Sequence, residues 1–255
     1  MEIKNRFDGV KRIYTGPSFN ILNKSHVAIF GIGGVGSWAC ESLARSGVGE
    51  ITLVDLDDIC ISNTNRQIHA LDGNYGRLKV HVMKERILAI NPECKVHAIE
   101  DFFSESTMDE ILTEDFDYVI DAIDSMKSKC ILISECRNRK IKIITTGGAG
   151  GKFDATHIRI GDLSKCFNDG LLGTVKNNLK RFYRFPKHTN IKFHVPCVFS
   201  PEFRTEPQES SNSNTLNCQN GYGSLTHITG TFGFMAAGYV INDLLNKESK
   251  AELRK

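Results

Sequence analysis

The residues best suited to do chemistry lie between positions 31 and 124. Gly31-Ile-Gly33-Gly34-Val-Gly36 follows a β-branched run and opens a helical pattern. A turn that tight needs glycine, and a backbone without side chains can approach phosphate oxygens closely. The helix behind it directs free N–H groups and the positive end of its dipole at the same point. Asp55 closes the next strand 19 residues after Gly36, with Asp57 just beyond it. A carboxylate there is suited to ribose hydroxyls. So far NAD and ATP fit equally.

Three further groups favour a triphosphate. Ser62–Gln67 (SNTNRQ) is a polar loop in which Asn65 and Gln67 flank Arg66, whose planar fork can clamp phosphate oxygens. Lys79 falls in the first turn of the following helix. Asp121 and Asp124 come at the end of a fourth strand, where a carboxylate can hold Mg²⁺ bridging phosphates. An NAD site needs neither the added cations nor the metal carboxylate. Each group also has a plainer reading: a surface ion-pairing arginine, a solvated lysine, and Asp124 as N-cap of a helix from Ser125.

The elements that must position these residues read as βαβ units, the pattern of a parallel sheet flanked by helices. Strands are expected at 26–30, 51–54, 95–99, 117–120 and 141–145. Between them, Val35, Trp38, Ala39, Ser42, Leu43 and Ser46 share one helical face. Val80, Met83, Ile87 and Ile90 share another, stopped by Asn91-Pro92. A further helix holds 131–137. Right-handed crossovers then put the ligand cleft at the C-terminal ends of the strands. The fold class is thus α/β, a Rossmann-type, mostly parallel sheet with a C-terminal mixed extension. The boundary is placed near residue 150: 1–150 binds nucleotide, and 151–255 completes the sheet in a shared core. After it come strand-like pieces at 156–160 and 193–199, a basic helical stretch at 171–185, and a polar stretch at 201–221 expected to be a mobile crossover loop. A last helix covers about 225–245, with Gly230, Gly233 and Gly238 allowing close packing.

Bulk properties set limits. The chain has 255 residues, 40% hydrophobic and 24% charged, with a formal net charge of +2. That is an ordinary globular composition, and bulk charge alone does not argue for nucleic acid. The start has no apolar run of a secretory signal. Phe232–Leu245 is too short for a membrane span and is interrupted by Asn242 and Asp243, so a packed helix is expected rather than a surface anchor. The expected compartment is the cytosol. Eight cysteines form no C-x-x-C pair, which argues against a tetrathiolate zinc site and suggests reduced, mostly buried thiols. The eight histidines show no H-x-x-H spacing, and none is read as a ligand.

The run GIGGVGSWACESLARSGVGEITLVDLDDICISNTNRQ resembles the ubiquitin-activating-enzyme-like ThiF/MoeB/HesA superfamily. NTNRQIHAL, VIDAIDS, TTGGAGG, NCQNGYGS and TFGF resemble, more narrowly, its tRNA threonylcarbamoyladenosine dehydratase branch. The resemblance runs from Arg6 to about Tyr239 and is weakest over 170–216. It implies a Rossmann-type fold that adenylates a carboxylate with MgATP. By it, Gly31, Gly33, Gly34 and Gly36 cradle phosphate, and Asp55 and Asp57 serve the nucleoside. Asn65, Arg66, Gln67 and Lys79 bind the phosphates, and Asp124 binds magnesium. Arg12 falls where the superfamily supplies an arginine to ATP, often across a homodimer.

The implied reaction is ATP-dependent cyclisation of the threonylcarbamoyl side chain in tRNA, at the anticodon loop, with no DNA partner. The alternative is an adenylyltransferase that activates the C-terminus of a ubiquitin-like sulfur carrier. A sulfur-relay protein is a further implied partner. Cys218 is the thiol best placed to carry an acyl group or sulfur, with a loop thiol as the default. Lys176–Lys192 carries six Lys/Arg and no acid, with Phe182, Tyr183 and Phe185 between them. Lys180, Arg181 and Arg184 are therefore candidate tRNA contacts, extended by Arg137, Arg139, Lys140 and Lys142.

Overall fold

Burial on both faces is what makes the central strands so uniformly apolar. In β1 (His26–Phe30), every residue is buried, with Val27 and Ile29 in one core cluster and Ala28 and Phe30 in the other. Such strands belong to sheets covered on both sides. The computed structural model describes residues 6–14, 16–112, 115–188, 190–205 and 223–252.

Chain order runs through α1 (Asp8–Ile13), α2 (Gly16–Lys24), β1, α3 (Gly36–Arg45), β2 (Glu50–Val54), α4 (Lys79–Ile90), β3 (Lys95–Ile99) and α5 (Met108–Ile111). It continues through β4 (Tyr118–Asp121), α6 (Met126–Arg139), β5 (Ile143–Thr146), β6 (Arg159–Asp162), α7 (Gly170–Phe182), β7 (Pro196–Phe199) and α8 (Thr226–Glu252). The seven strands lie in the order β3-β2-β1-β4-β5-β7-β6. All neighbours are parallel except β6 and β7. The order reverses between β1 and β4, the switch point at which doubly wound sheets bind ligands. β6 and β7 follow residue 150 yet extend the same sheet, with Thr145 opposite Cys197 and Thr146 opposite Val198.

One face is covered by α3, α4 and α8, the other by α6 and α7. α8 lies close against α3: a Cβ on Gly233 would stand 2.5 Å from the Val35 carbonyl oxygen, so only glycine fits there. Gly230 and Gly238 are not so constrained; the nearest atoms to a Cβ on Gly230 are 3.8 Å away, and none lies within 4 Å at Gly238. No described helix is long and apolar enough to cross a membrane.

Two strand expectations are corrected by local side-chain bonds. Residues 155–157 form a 3₁₀ turn, because the Asp154 carboxylate accepts the Thr156 N–H at 2.8 Å. Such a bond offers the backbone an alternative to the ladder. β7 begins at Pro196 rather than Phe193, since His194 has φ 59° and Asp162 accepts the N–H groups of both Phe193 and His194. The expected crossover loop falls largely on 206–222, outside the described residues.

Candidate functional site

Geometry at the glycine turn follows from close approaches. Gly31 has φ 86°, and a Cβ on it would meet the Ala122 carbonyl oxygen at 2.7 Å. A Cβ on Gly36 would fall 1.8 Å from the Gly31 carbonyl oxygen. A Cβ on Gly33 would find only Gln67 Nε2 within range, at 3.8 Å, and the neighbouring Gly34 lies against Thr229 and Arg66. The space beside Gly33 is therefore open. The N-cap of α3, Val35, makes no side-chain cap, and in the first turn the Ser37 N–H is bonded to the Gly33 carbonyl at 3.1 Å.

Asp55 holds this turn in place. Its Oδ2 accepts the Ile32 N–H at 2.6 Å and its Oδ1 accepts the Asp57 N–H at 2.8 Å. Burial pushes its carboxyl above the usual aspartate range, although Lys79 pulls the other way. Lys79 is the first residue of α4 and is buried; its Nζ lies 2.7 Å from Asp57 Oδ2 and 3.9 Å from Asp55 Oδ1. The structure thus brings Asp55, Asp57 and Lys79 together behind the glycine turn.

The loop 61–67 leans on α8. The Asn65 amide donates to the Ser224 carbonyl, and Thr226 Oγ1 donates to the carbonyl of Asn65. Trp38 Nε1 donates to the Arg66 carbonyl at 3.0 Å, and Arg66 Nη1 bonds Ser62 O and Asn65 Oδ1. Gln67 Oε1 and both ring nitrogens of His69 are buried without a hydrogen-bond partner. Buried polar atoms are normally satisfied, so this group of one donor and two acceptors is open to a further polar partner. Burial, and then Lys79, drives the His69 pKa down to about 4, so the ring is neutral. Sequence reasoning missed Trp38 and His69; the signals were the chain's single tryptophan and the histidine inside NRQIHAL.

Of the two acidic residues proposed for metal, Asp121 is corrected. It is fully buried at the end of β4, paired with Lys129 Nζ at 2.9 Å and bonded by Thr145 Oγ1 at 2.7 Å. With the Ile123 N–H also on Oδ1, its carboxylate is committed to three internal donors. Asp124 is exposed in the loop after β4, beside the Ala122–Gly31 contact. It is not the N-cap of α6: Ser125 is, accepting the Ser128 N–H. A single carboxylate beside phosphate oxygens is a usual way to hold Mg²⁺, which keeps several waters.

The TTGGAGG segment is also tied down. Gly148 N–H donates to Asp169 Oδ2, and Asp169 caps α7 through the Leu172 N–H. Lys152, buried and missed from sequence, donates to the carbonyls of Ser200 and Glu202.

Other expected residues are not brought to this site. Arg6 bonds the carbonyls of Ala89 and Ile90 at the C-terminal end of α4, and Phe7 packs on Phe19 near Gly47. Arg12, exposed in α1, is thereby held at the far end of α3 from the glycine turn. Lys180, Arg181 and Arg184 lie at the C-terminal end of α7, roughly 20 Å of helix from Asp169. Lys180 Nζ lies over Phe193, and Arg181 lies over Phe182. Of the three aromatics there, Phe182 is exposed, Tyr183 is partly covered, and Phe185 is buried beneath Arg137. Cys218 lies outside the described residues. Six described cysteines are buried and Cys60 is exposed. Burial pushes the Cys94 thiol up to about 12 and Cys130 to about 11, which leaves them protonated and inert.

The ThiF family model matches residues 12–254. A tRNA threonylcarbamoyladenosine dehydratase of Haemophilus influenzae is 49% identical over 249 residues, covering 96% of this chain and 95% of that protein. The protein of the same description from Escherichia coli is 41% identical over 257 residues, covering 97% and 96%. The crystal structure of E. coli tRNA N6-threonylcarbamoyladenosine dehydratase, TcdA, in complex with ATP superposes with a TM-score of 0.89. Its sequence identity is 42%, with 97% and 96% of the two chains covered.

Proposed function

Because the chain belongs to the ThiF family, we propose that it is an ATP-dependent tRNA threonylcarbamoyladenosine dehydratase. The observation that carries this is the match to the H. influenzae enzyme along nearly the whole of both chains. The adenylation chemistry follows from the substrate. A carboxylate is a poor electrophile, so its oxygen attacks the α-phosphorus of ATP, displacing pyrophosphate and forming an acyl-adenylate. An atom of the same side chain then attacks the acyl carbon, AMP leaves, and the ring closes with the entropic advantage of an intramolecular step. The net loss from the nucleoside is one water, and no protein nucleophile is needed.

In this scheme Gly31, Gly33, Gly34, Gly36 and the first amides of α3 hold phosphate, while Asp55 and Asp57 serve the nucleoside end. Arg66, Lys79, Asn65 and Gln67 take the phosphates, and preorganised charge of this kind supplies most of the transition-state stabilisation. Mg²⁺, when bound, neutralises phosphate charge, and Asp124 would hold it. Arg12 reaches a nucleotide only from a second copy, so the working unit is a homodimer. Residues after 150 complete the sheet and offer Lys180, Arg181 and Arg184 to the tRNA. The compartment is the cytosol, where such tRNAs are found.

Incubation with MgATP and total tRNA, followed by mass analysis of nucleosides, tests the reading. Threonylcarbamoyladenosine losing one water supports it. AMP formation that depends on a small carrier protein and not on tRNA would replace it with the sulfur-carrier adenylyltransferase.

A further inference from the structure

Towards the N-terminal ends of the strands, opposite the glycine turn, three neighbouring strands bring together side chains that the chemistry above does not use. His26 and Glu50 are the first residues of β1 and β2 and are register partners; His97 is the third residue of β3, opposite Thr52. In a parallel sheet, registered residues and those two apart share a face. The three groups therefore converge, and one ligand atom of each lies within 4.8 Å of the others. We propose that His26, Glu50 and His97 form a binding site for a divalent transition-metal ion of the zinc class.

Distances suit such an ion. Ligand atoms about 2.0–2.1 Å from tetrahedral zinc stand roughly 3.3 Å apart. Glu50 Oε1 is 2.8 Å from His97 Nε2 and 3.9 Å from His26 Nδ1, which brackets that value. The His26 ring is held from behind: its Nε2 is hydrogen-bonded to Thr52 Oγ1 at 2.8 Å, and it packs edge-on against Phe116. An outer partner on the second ring nitrogen is how proteins orient a metal-binding imidazole. Here it leaves Nδ1 turned towards Glu50. The donor set of two imidazoles and one carboxylate selects zinc-class ions over Mg²⁺ or Ca²⁺, which prefer all-oxygen surroundings.

Lys95 Nζ lies 3.1 Å from Glu50 Oε1, on a side chain 72% exposed. It can swing into solvent when an ion takes over the carboxylate charge. Water can reach the fourth position, since the His97 side chain is 43% exposed. The ion would tie three strands together about 17 Å from Gly31, stabilising the sheet without entering the reaction.

The full chain, stripped with a chelator, would be titrated with Zn²⁺ by calorimetry and melted with and without it. We expect one ion per chain and a raised Tm, both retained in Cys60→Ser and Cys218→Ser, with no such shift from Mg²⁺. His97→Asn, at a half-exposed position that Asn fills without disturbing the core, should weaken Zn²⁺ binding by at least about 100-fold. Glu50→Gln should act alike. The proposal is overturned if the wild-type chain binds no Zn²⁺, if binding disappears with a cysteine, or if His97→Asn keeps wild-type affinity.

Discussion

Lys129 and Asp121 face each other at 2.9 Å with neither side chain exposed. The pair ties the second turn of α6 to the last residue of β4, and Lys129 also donates to the Asp121 carbonyl. The loop between them carries Asp124 and touches Gly31, so this contact fixes the backbone beside the glycine turn. Burial drives the Asp121 carboxyl above its usual range, while Lys129 and Thr145 pull it down without prevailing.

Removing the cation should therefore be costly. Lys129→Met leaves a carboxylate without its counter-charge in the core, and about 3–5 kcal/mol of unfolding free energy should be lost at neutral pH. The penalty should shrink in acid, where Asp121 takes up a proton. Urea denaturation at two pH values measures both. A loss that does not change with pH would mean packing, not charge, is at stake.

That pair also shows what a sequence conceals. Asp121 and Asp124 are the same residue type three positions apart, and only Lys129, the fourth residue of α6, decides that one is internal. By contrast the central strands, the glycine turn and the placement of Lys79 were legible, because each depends on a local pattern: burial on two faces, a tight turn, a helix start. Where Arg12 sits is set by a contact no local pattern announces, since Arg6 anchors the start of α1 at the C-terminal end of α4. The His26–Glu50–His97 group could not be found by spacing either. Its members lie 24 and 47 residues apart and meet only through strand register.

The acid limb of stability should depend on Glu41. This carboxylate in α3 bonds Arg86 and Arg45. Burial alone would raise its pKa, but the hydrogen bonds from Arg86 and Arg45 outweigh burial and hold it below the ordinary 4.5. With the folded value depressed, the unfolded chain binds more protons over that interval. The stability Glu41 contributes is present above pH 4.5 and is lost as pH falls through its folded value. Glu41→Gln should lower Tm at neutral pH and flatten its fall in acid. An unchanged Tm–pH curve would show that the two arginines contribute nothing there.

Arg66→Ala and Asp124→Ala remove charges that lie outside the core. Each should cut tRNA-dependent AMP formation by on the order of 10²-fold or more, with circular dichroism and Tm close to wild type. A wild-type rate in either variant removes that residue from the proposed machinery.

The glycine turn allows the sharpest contrast, because two of its members are glycine for different reasons. At Gly36 a Cβ would stand 1.8 Å from the Gly31 carbonyl oxygen, a backbone atom that cannot yield. Gly36→Ala should therefore disturb the turn itself and lower Tm with or without nucleotide. At Gly33 the nearest neighbour is the end of a flexible glutamine, 3.8 Å away, so an added methyl meets no clash in the free protein. Only a ligand phosphate would contest that space. Gly33→Ala should accordingly melt like wild type when nucleotide is absent, yet lose the thermal shift that ATP confers by binding the native state. Melting curves of both variants, each with and without MgATP, separate the two cases. If Gly33→Ala keeps the full ATP shift, phosphate does not lie against Gly33, and the cradle must be sought further along α3.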